Sequence, residues 1–122
     1  MTKFYKEFEF WYQATVISSH DGDTLTLNID LGRRTYSIDS IRLLGINAPE
    51  LSQPGGQGAR DYLRTLCPPG TEVRIQTFKN KNDKYGRWLG KVYLPPSDIE
   101  PRVSLCVNDI MILAGHATKI FY

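Results

Sequence analysis

Asp21-Gly22-Asp23-Thr24-Leu25-Thr26-Leu27-Asn28-Ile29-Asp30-Leu31 alternates polar and apolar residues from Thr24 onward, the period of a strand with one face in a core. The Asp21-Gly22 step is turn chemistry, and a β-branched and aromatic run over residues 12–19 precedes it, so the two runs read as hairpin arms. Gly32-Arg33-Arg34 makes the next turn, where the two arginines read as solubilising charges. Beyond it Tyr36 and Ile38 share one parity and Ile41 and Leu43 the other. The switch at Asp39-Ser40 predicts a bulge or sharp bend of the kind small barrels use to close. Further strands are expected over residues 72–78 and 88–94. Ala59, Tyr62, Leu63 and Leu66 recur at helical spacing until Pro68-Pro69-Gly70 stops them. Residues 103–113 fit both periods, strand-like first and helical later. Asn108 is the expected N-cap there, with Asp109 in the first turn and Gly115 past the last. Five short strands with two to three short helices make a mainly β (α+β) fold, a five-stranded Greek-key barrel of the OB type.

With 122 residues the chain is expected to form one domain over 1–122, with residues 1–11 as an N-terminal extension and 95–102 as a surface insertion. A hydrophobic fraction of 41% beside 23% charged residues is ordinary for folded domains and excludes bulk disorder. The net charge of +2 is too small to mark a nucleic-acid binder by composition, so the positions of the basic residues must carry any such reading. Cys67 and Cys106 are too few and too far apart for a disulfide framework or a zinc knuckle, though a single pairing stays open. The first eight residues mix charges with aromatics and contain no apolar signal region. No stretch is long enough to span a bilayer, so no membrane association is expected. A cytoplasmic or otherwise intracellular chain is the expectation, with an excised mature domain as the alternative.

The chemistry concentrates in Ile41-Arg42-Leu43-Leu44-Gly45-Ile46-Asn47-Ala48-Pro49-Glu50, an apolar strand that breaks into a loop of oxygen-bearing residues. A guanidinium inside such a run needs an anion, which a carboxylate or a bound phosphate can supply. Asp39 and Glu50 are the nearby candidates for a purely structural pair. Asn47, the Ala48 carbonyl and Glu50 offer hard oxygens at the strand end, stiffened by Pro49. Asp21 and Asp23 flank a glycine where a tight turn can bring Asp23 toward that end. As an EF-hand the segment fails, with Thr26 where glycine is required and Gly32 where glutamate is. His20 and His116 stand far apart, with no further His or paired Cys beside them to make a zinc site. Trp11, Trp88 and Tyr93 read as core rather than as base platforms.

Three ordered islands, Asp21-Gly22-Asp23-Thr24, residues 41–50 as quoted, and Asp83-Lys84-Tyr85-Gly86-Arg87, resemble the staphylococcal nuclease family. Val107-Asn108 and Leu113-Ala114-Gly115-His116-Ala117 are similar to that family's later helix segment. The resemblance implies an OB barrel and a Ca²⁺-dependent phosphodiesterase. Such an enzyme cleaves DNA and RNA with low sequence specificity and leaves a 3′-phosphate and a 5′-hydroxyl. It implies Asp23, Asn47 and the Ala48 carbonyl as metal ligands, with Asp21 as a supporting carboxylate behind them. Glu50 would activate the attacking water, Arg42 and Arg87 would hold the phosphate, and Lys84 and Tyr85 would contact a terminal phosphate. The family often has Asp where this chain has Asn47, which removes one ligand charge and weakens Ca²⁺ binding without abolishing it. Phe121 and Tyr122 match only part of an aromatic pair that lines the family's nucleotide pocket, and the family's long C-terminal helical portion has no counterpart before the chain ends at Tyr122. Lys79, Lys81 and Lys84 beside Tyr85 read as a solvated loop or as a track for a single strand. A monomer acting on single-stranded DNA or RNA is the expected partner relation. The rival is a catalytically inactive OB module that binds single-stranded nucleic acid or a protein.

Overall fold

The structure, a computed structural model, describes residues 10–79, 87–95 and 105–120. Three long antiparallel strands lead the chain: β1 (Phe10–Asp21), β2 (Thr24–Gly32) and β3 (Thr35–Leu43). After a two-residue β4 (Ile46–Asn47) come helix α1 (Gly56–Leu66), β5 (Glu72–Phe78), β6 (Trp88–Leu94) and β7 (Leu105–Cys106). Helix α2 (Val107–Leu113) and β8 (Thr118–Lys119) follow. The sheet runs β3-β2-β1-β5-β6-β7, and parallel pairing of β3 with β6 at Ile41↔Trp88 to Leu43↔Gly90 closes β1, β2, β3, β5 and β6 into a barrel. This is the mixed five-stranded barrel expected from the sequence, with two helices among the described residues. No helix among the described residues is long and apolar enough to cross a membrane.

Alternation builds the core. Leu25, Leu27 and Ile29 from β2 meet Ile41 and Leu43 from β3, Val16 from β1, Ile75 from β5 and Val92 from β6 in the barrel interior. Ala59 and Leu63 of α1, with Val107 and Met111 of α2, cover the barrel with their buried faces. Cys67 lies fully buried just past α1, and both cysteines are free thiols. Burial pushes the Cys67 thiol up to about 11.

Several expectations need correction. β3 carries no bulge at Asp39-Ser40, since Asp39 pairs with Leu27 and Ser40 with Thr26 in unbroken register. Tyr36 and Ile38 instead point outward, 61% and 66% exposed, on the face that also carries Ser40 and Arg42. The register shifts fall instead in the β1–β2 pairing, between Val16 and Ser18 and between Ser19 and Asp21, and in the β2–β3 pairing between Asp30 and Gly32, next to the turn. Asn108 is not an N-cap. Cys106 occupies that place, and Asn108 sits inside α2 with its amide buried against the barrel. Trp11 and Trp88 are 37% and 41% exposed and not core. Trp11 stacks on Tyr93 with ring centroids 5.4 Å apart and carries Arg74 over its face at 5.0 Å, so the outer sheet surface uses its aromatic bulk. Strand β1 is described from Phe10, and residues 1–9 of the expected extension lie outside the described residues. The expected insertion lies outside the described residues from position 96 onward, as do Lys81, Lys84, Tyr85, Phe121 and Tyr122.

Candidate active site

The β1–β2 turn reaches the 46–50 loop because Gly22 has no side chain. A Cβ there would stand 2.7 Å from the methyl carbons of both Ala48 and Ala59, closer than packed carbons tolerate. That contact puts Asp23 beside Ala48, whose N–H donates to Asp23 Oδ2 at 3.0 Å. Thr24 Oγ1 donates to Asp23 Oδ1 at 3.2 Å, and the Asp23 N–H donates to Asp21 Oδ1 at 3.1 Å. Asp23 is therefore a buried carboxylate with fixed orientation.

Arg42 arrives from β3 because Thr24 and Arg42 are register partners. Its Nη1 lies 3.5 Å from Asp23 Oδ2, while Nη2 donates to the Ile46 carbonyl at 3.3 Å and to Asn47 Oδ1 at 3.2 Å. Its ionic partner is Asp23, not Asp39 or Glu50 as the sequence allowed. Asp39 instead accepts from Ser37 Oγ at 2.7 Å.

Asn47 and Ala48 are held from two sides. β4 pairs with β8 at Ile46↔Lys119 and Asn47↔Thr118, and the Ile120 N–H donates to the Gly45 carbonyl at 2.8 Å. Glu50 is exposed, but its backbone is tied: its N–H donates to Gln53 Oε1 at 2.9 Å, and the Gln53 N–H donates back to its carbonyl at 2.9 Å. A Cβ on Gly56 would overlap the Glu50 carbonyl, so the start of α1 can press against this loop only with glycine there. Arg87, just before β6, reaches across to donate from Nη1 to Thr24 Oγ1 at 3.4 Å.

One open cleft of about 850 Å³ is lined by Asp21, Asp23, Arg42, Asn47, Ala48, Glu50 and Arg87 together with His20, Thr24, Thr26 and Ser40. Every expected site residue that the structure describes lines it. Lys84 and Tyr85 fall outside the described residues. Sequence reasoning missed three supports: Gln53 behind Glu50, Thr24 between Asp23 and Arg87, and Asn108. The Asn108 amide donates to the carbonyls of Leu44 (2.9 Å) and Gly90 (3.0 Å) and accepts the Val92 N–H (3.1 Å), which pins the end of β3 just before the site loop. Gln53 was visible as a side chain three residues after Glu50 in a turn-rich stretch; the other two partnerships had no local signal.

Burial raises the Asp23 carboxyl above the usual carboxylate range, and the neighbouring Asp21 adds to the rise, against the Ala48 N–H and Arg42, which lower it. Two adjacent carboxylates with one guanidinium in direct contact leave negative charge that a divalent cation would offset. The donor set is chemically suited to a hard cation such as Ca²⁺, being the carboxylate of Asp23, the amide oxygen of Asn47 and the backbone carbonyl of Ala48, with the Asp21 carboxylate behind them. Among the described residues no three His, Cys, Asp or Glu side chains are grouped closely enough to hold a metal ion by themselves, so a cation here would also draw on amide, carbonyl and water oxygens.

Three comparisons bear on the cleft. A protein of Escherichia coli O157:H7 named an uncharacterized endonuclease is 34% identical over 102 residues, covering 84% of this chain and 57% of its own length. The micrococcal nuclease of Shigella flexneri is 33% identical over 112 residues, 91% of this chain and 60% of its own. The thermonuclease of Staphylococcus hyicus is 32% identical over 85 residues, 65% of this chain and 47% of its own. The chain thus spans roughly half to three-fifths of the length of these relatives. The pattern of the staphylococcal nuclease homologues matches residues 40–122, from β3 through the cleft residues Arg42, Asn47, Ala48, Glu50 and Arg87 to the C-terminus, and the chain belongs to that family.

Proposed function

We propose that this chain is a Ca²⁺-dependent nuclease that hydrolyses phosphodiester bonds of DNA and RNA with little sequence preference, acting as a monomer and favouring flexible single strands. The observation that carries the reading is the shared cleft of Asp21, Asp23, Arg42, Asn47, Ala48, Glu50 and Arg87. Nuclease and endonuclease names among the relatives support it.

Asp23, Asn47 and the Ala48 carbonyl would hold the cation, with Asp21 behind Asp23, and the bound ion would supply positive charge against the scissile phosphate. Arg42 and Arg87 present guanidinium forks to the non-bridging oxygens and offset the charge that grows there. Arg42 can do so cheaply, because its contacts at 3.2–3.5 Å are long for charged hydrogen bonds. Glu50 takes a proton from the attacking water, whose oxygen bonds to phosphorus as the bond to the 5′ oxygen breaks. The 5′ oxygen takes its proton from solvent, leaving a 5′-hydroxyl and a 3′-phosphate.

The test is release of acid-soluble nucleotides with Ca²⁺ and with EDTA, where equal background release in both would overturn the reading. Glu50→Gln should lower turnover by about 10²-fold, as loss of a general base does. Wild-type rates in a folded variant would remove Glu50 from that role. One feature favours the rival binding module: Asn47 brings no charge, and its oxygen is engaged by Arg42. Oligonucleotide binding indifferent to Ca²⁺, with no turnover, would decide for that reading.

A further inference from the structure

The outer face of the β2–β3 hairpin leaves the cleft carrying features that the proposed chemistry does not use. Thr24, Thr26, Asn28 and Asp30 stand opposite Arg42, Ser40, Ile38 and Tyr36 in register, and the first two of each set line the cleft. Beyond them Ile38 and Tyr36 are two large apolar side chains in solvent on an otherwise polar face. At the tip Arg33 and Arg34 hold positive φ angles of 55° and 65°. A two-residue turn of this shape is made without strain by Asn-Gly, so two arginines there put guanidinium groups at the tip at the expense of backbone comfort. Asp30, the acidic group of this hairpin face, lies beside Tyr36 and accepts the Gly32 N–H of the turn through Oδ1 at 2.8 Å.

From Arg42 to Tyr36 the face advances by three two-residue steps, on the order of 20 Å, a span of several nucleotides. We propose that this face extends the cleft and holds the part of a single-stranded nucleic acid lying to one side of the scissile phosphate. Ile38 and Tyr36 meet unpaired bases, and Arg33 and Arg34 bind backbone phosphates at the far end. The occupant follows from continuity with the cleft and from charge. An anionic chain gripped at Arg42 meets two flat or apolar supports and then two cations. Unpaired bases are needed because only they can lay a face on such supports. The placement of the strand relies on the nuclease reading of the cleft.

The experiment uses the full chain, a dinucleotide too short to leave the cleft, an oligothymidylate of about twelve residues, and a duplex of equal length. Turnover and fluorescence anisotropy are both recorded. In Tyr36→Ala/Ile38→Ala the ratio of kcat/KM for the long strand to that for the dinucleotide should fall about ten-fold, through KM. Arg33→Asn/Arg34→Asn keeps a residue type at home with positive φ, so it should fold, and it should reduce the slope of log Kobs against log salt by up to roughly 1.4, about 0.7 for each lost contact to a single strand. Variants that leave the ratio and the slope at wild-type values, or that weaken the duplex as much as the single strand, would overturn the proposal. Absent turnover, with length-dependent anisotropy still lost in the variants, would defeat the nuclease reading and keep the extension. Normal turnover with no effect of substrate length in any variant would defeat the extension alone.

Discussion

Asn108 should be the most costly polar side chain to remove from this fold. It is 3% exposed, and its amide makes three hydrogen bonds to strands that otherwise meet only at the barrel seam. Asn108→Ala leaves the Gly90 carbonyl its bond from the Leu44 N–H at 2.9 Å, but removes the side-chain partner of the Leu44 carbonyl and the Val92 N–H. Two buried groups at about 1–3 kcal/mol each, partly relieved by water at the Leu44 end, put the loss near 3 kcal/mol. That is a large part of a stability expected at about 5–15 kcal/mol. With a slope of about 2 kcal/mol per molar urea, the midpoint should fall by about 1.5 M, followed by the fluorescence of Trp11 and Trp88. Asn108→Asp tests the cause more closely. The carboxylate still accepts from Val92 but sets negative charge against two carbonyls, so the variant should be no more stable than Asn108→Ala at pH 7. It should recover as acid protonates it, because burial among carbonyls raises its folded pKa and its penalty grows as pH rises. A loss under about 1 kcal/mol for Asn108→Ala, or an Asn108→Asp variant as stable as the parent at pH 7, would refute the account of the seam.

Gly22→Ala should cost about 1–3 kcal/mol and slow any turnover, because its methyl must displace Ala48 or α1 and with them Asp23; Gly58→Ala, exposed in the same helix with open space around it, should instead add about 0.5–1 kcal/mol in the same urea titration. Cys67, with its folded thiol at about 11 against an ordinary 9.0, keeps its proton longer folded than unfolded. The stability it contributes is therefore fully present below pH 9 and declines by about 1.4 kcal/mol per pH unit toward pH 11, a slope that should be absent from Cys67→Ala when urea midpoints at pH 8 and pH 10 are compared. Asn47→Asp adds a ligand charge at the loop end and should tighten Ca²⁺ in calorimetry; affinity equal to the parent's would argue against Asn47 as a ligand.

The parts of this structure legible in the sequence are those whose signal is local. β5 and β6 fall where alternation ended at turn residues, and α1 ends where Pro68-Pro69 forces it to. Where two readings needed knowledge of what lies across the fold, the sequence was silent. A parity switch in β3 implies a bulge only if both sets of apolar residues face one core, whereas Tyr36 and Ile38 share the solvent side with Arg42 and the register shifts lie in the β1–β2 pairing and beside the β2–β3 turn. Asn108 has the chemistry of an N-cap and the location of a clamp, and its partner carbonyls belong to Leu44 and Gly90, far off in the chain. The pairing of Arg42 with Asp23 follows from the β2–β3 register, which sets Thr24 opposite Arg42 and so brings the preceding carboxylate alongside. The motif residues therefore name the chemistry, but two glycines make it possible: Gly22 lets the turn touch Ala48, and Gly56 lets α1 press against Glu50. A chain with every polar cleft residue intact and a methyl at either glycine would keep the motif and displace the loop that shapes the cleft, which makes those two small residues as informative about function as the carboxylates they position.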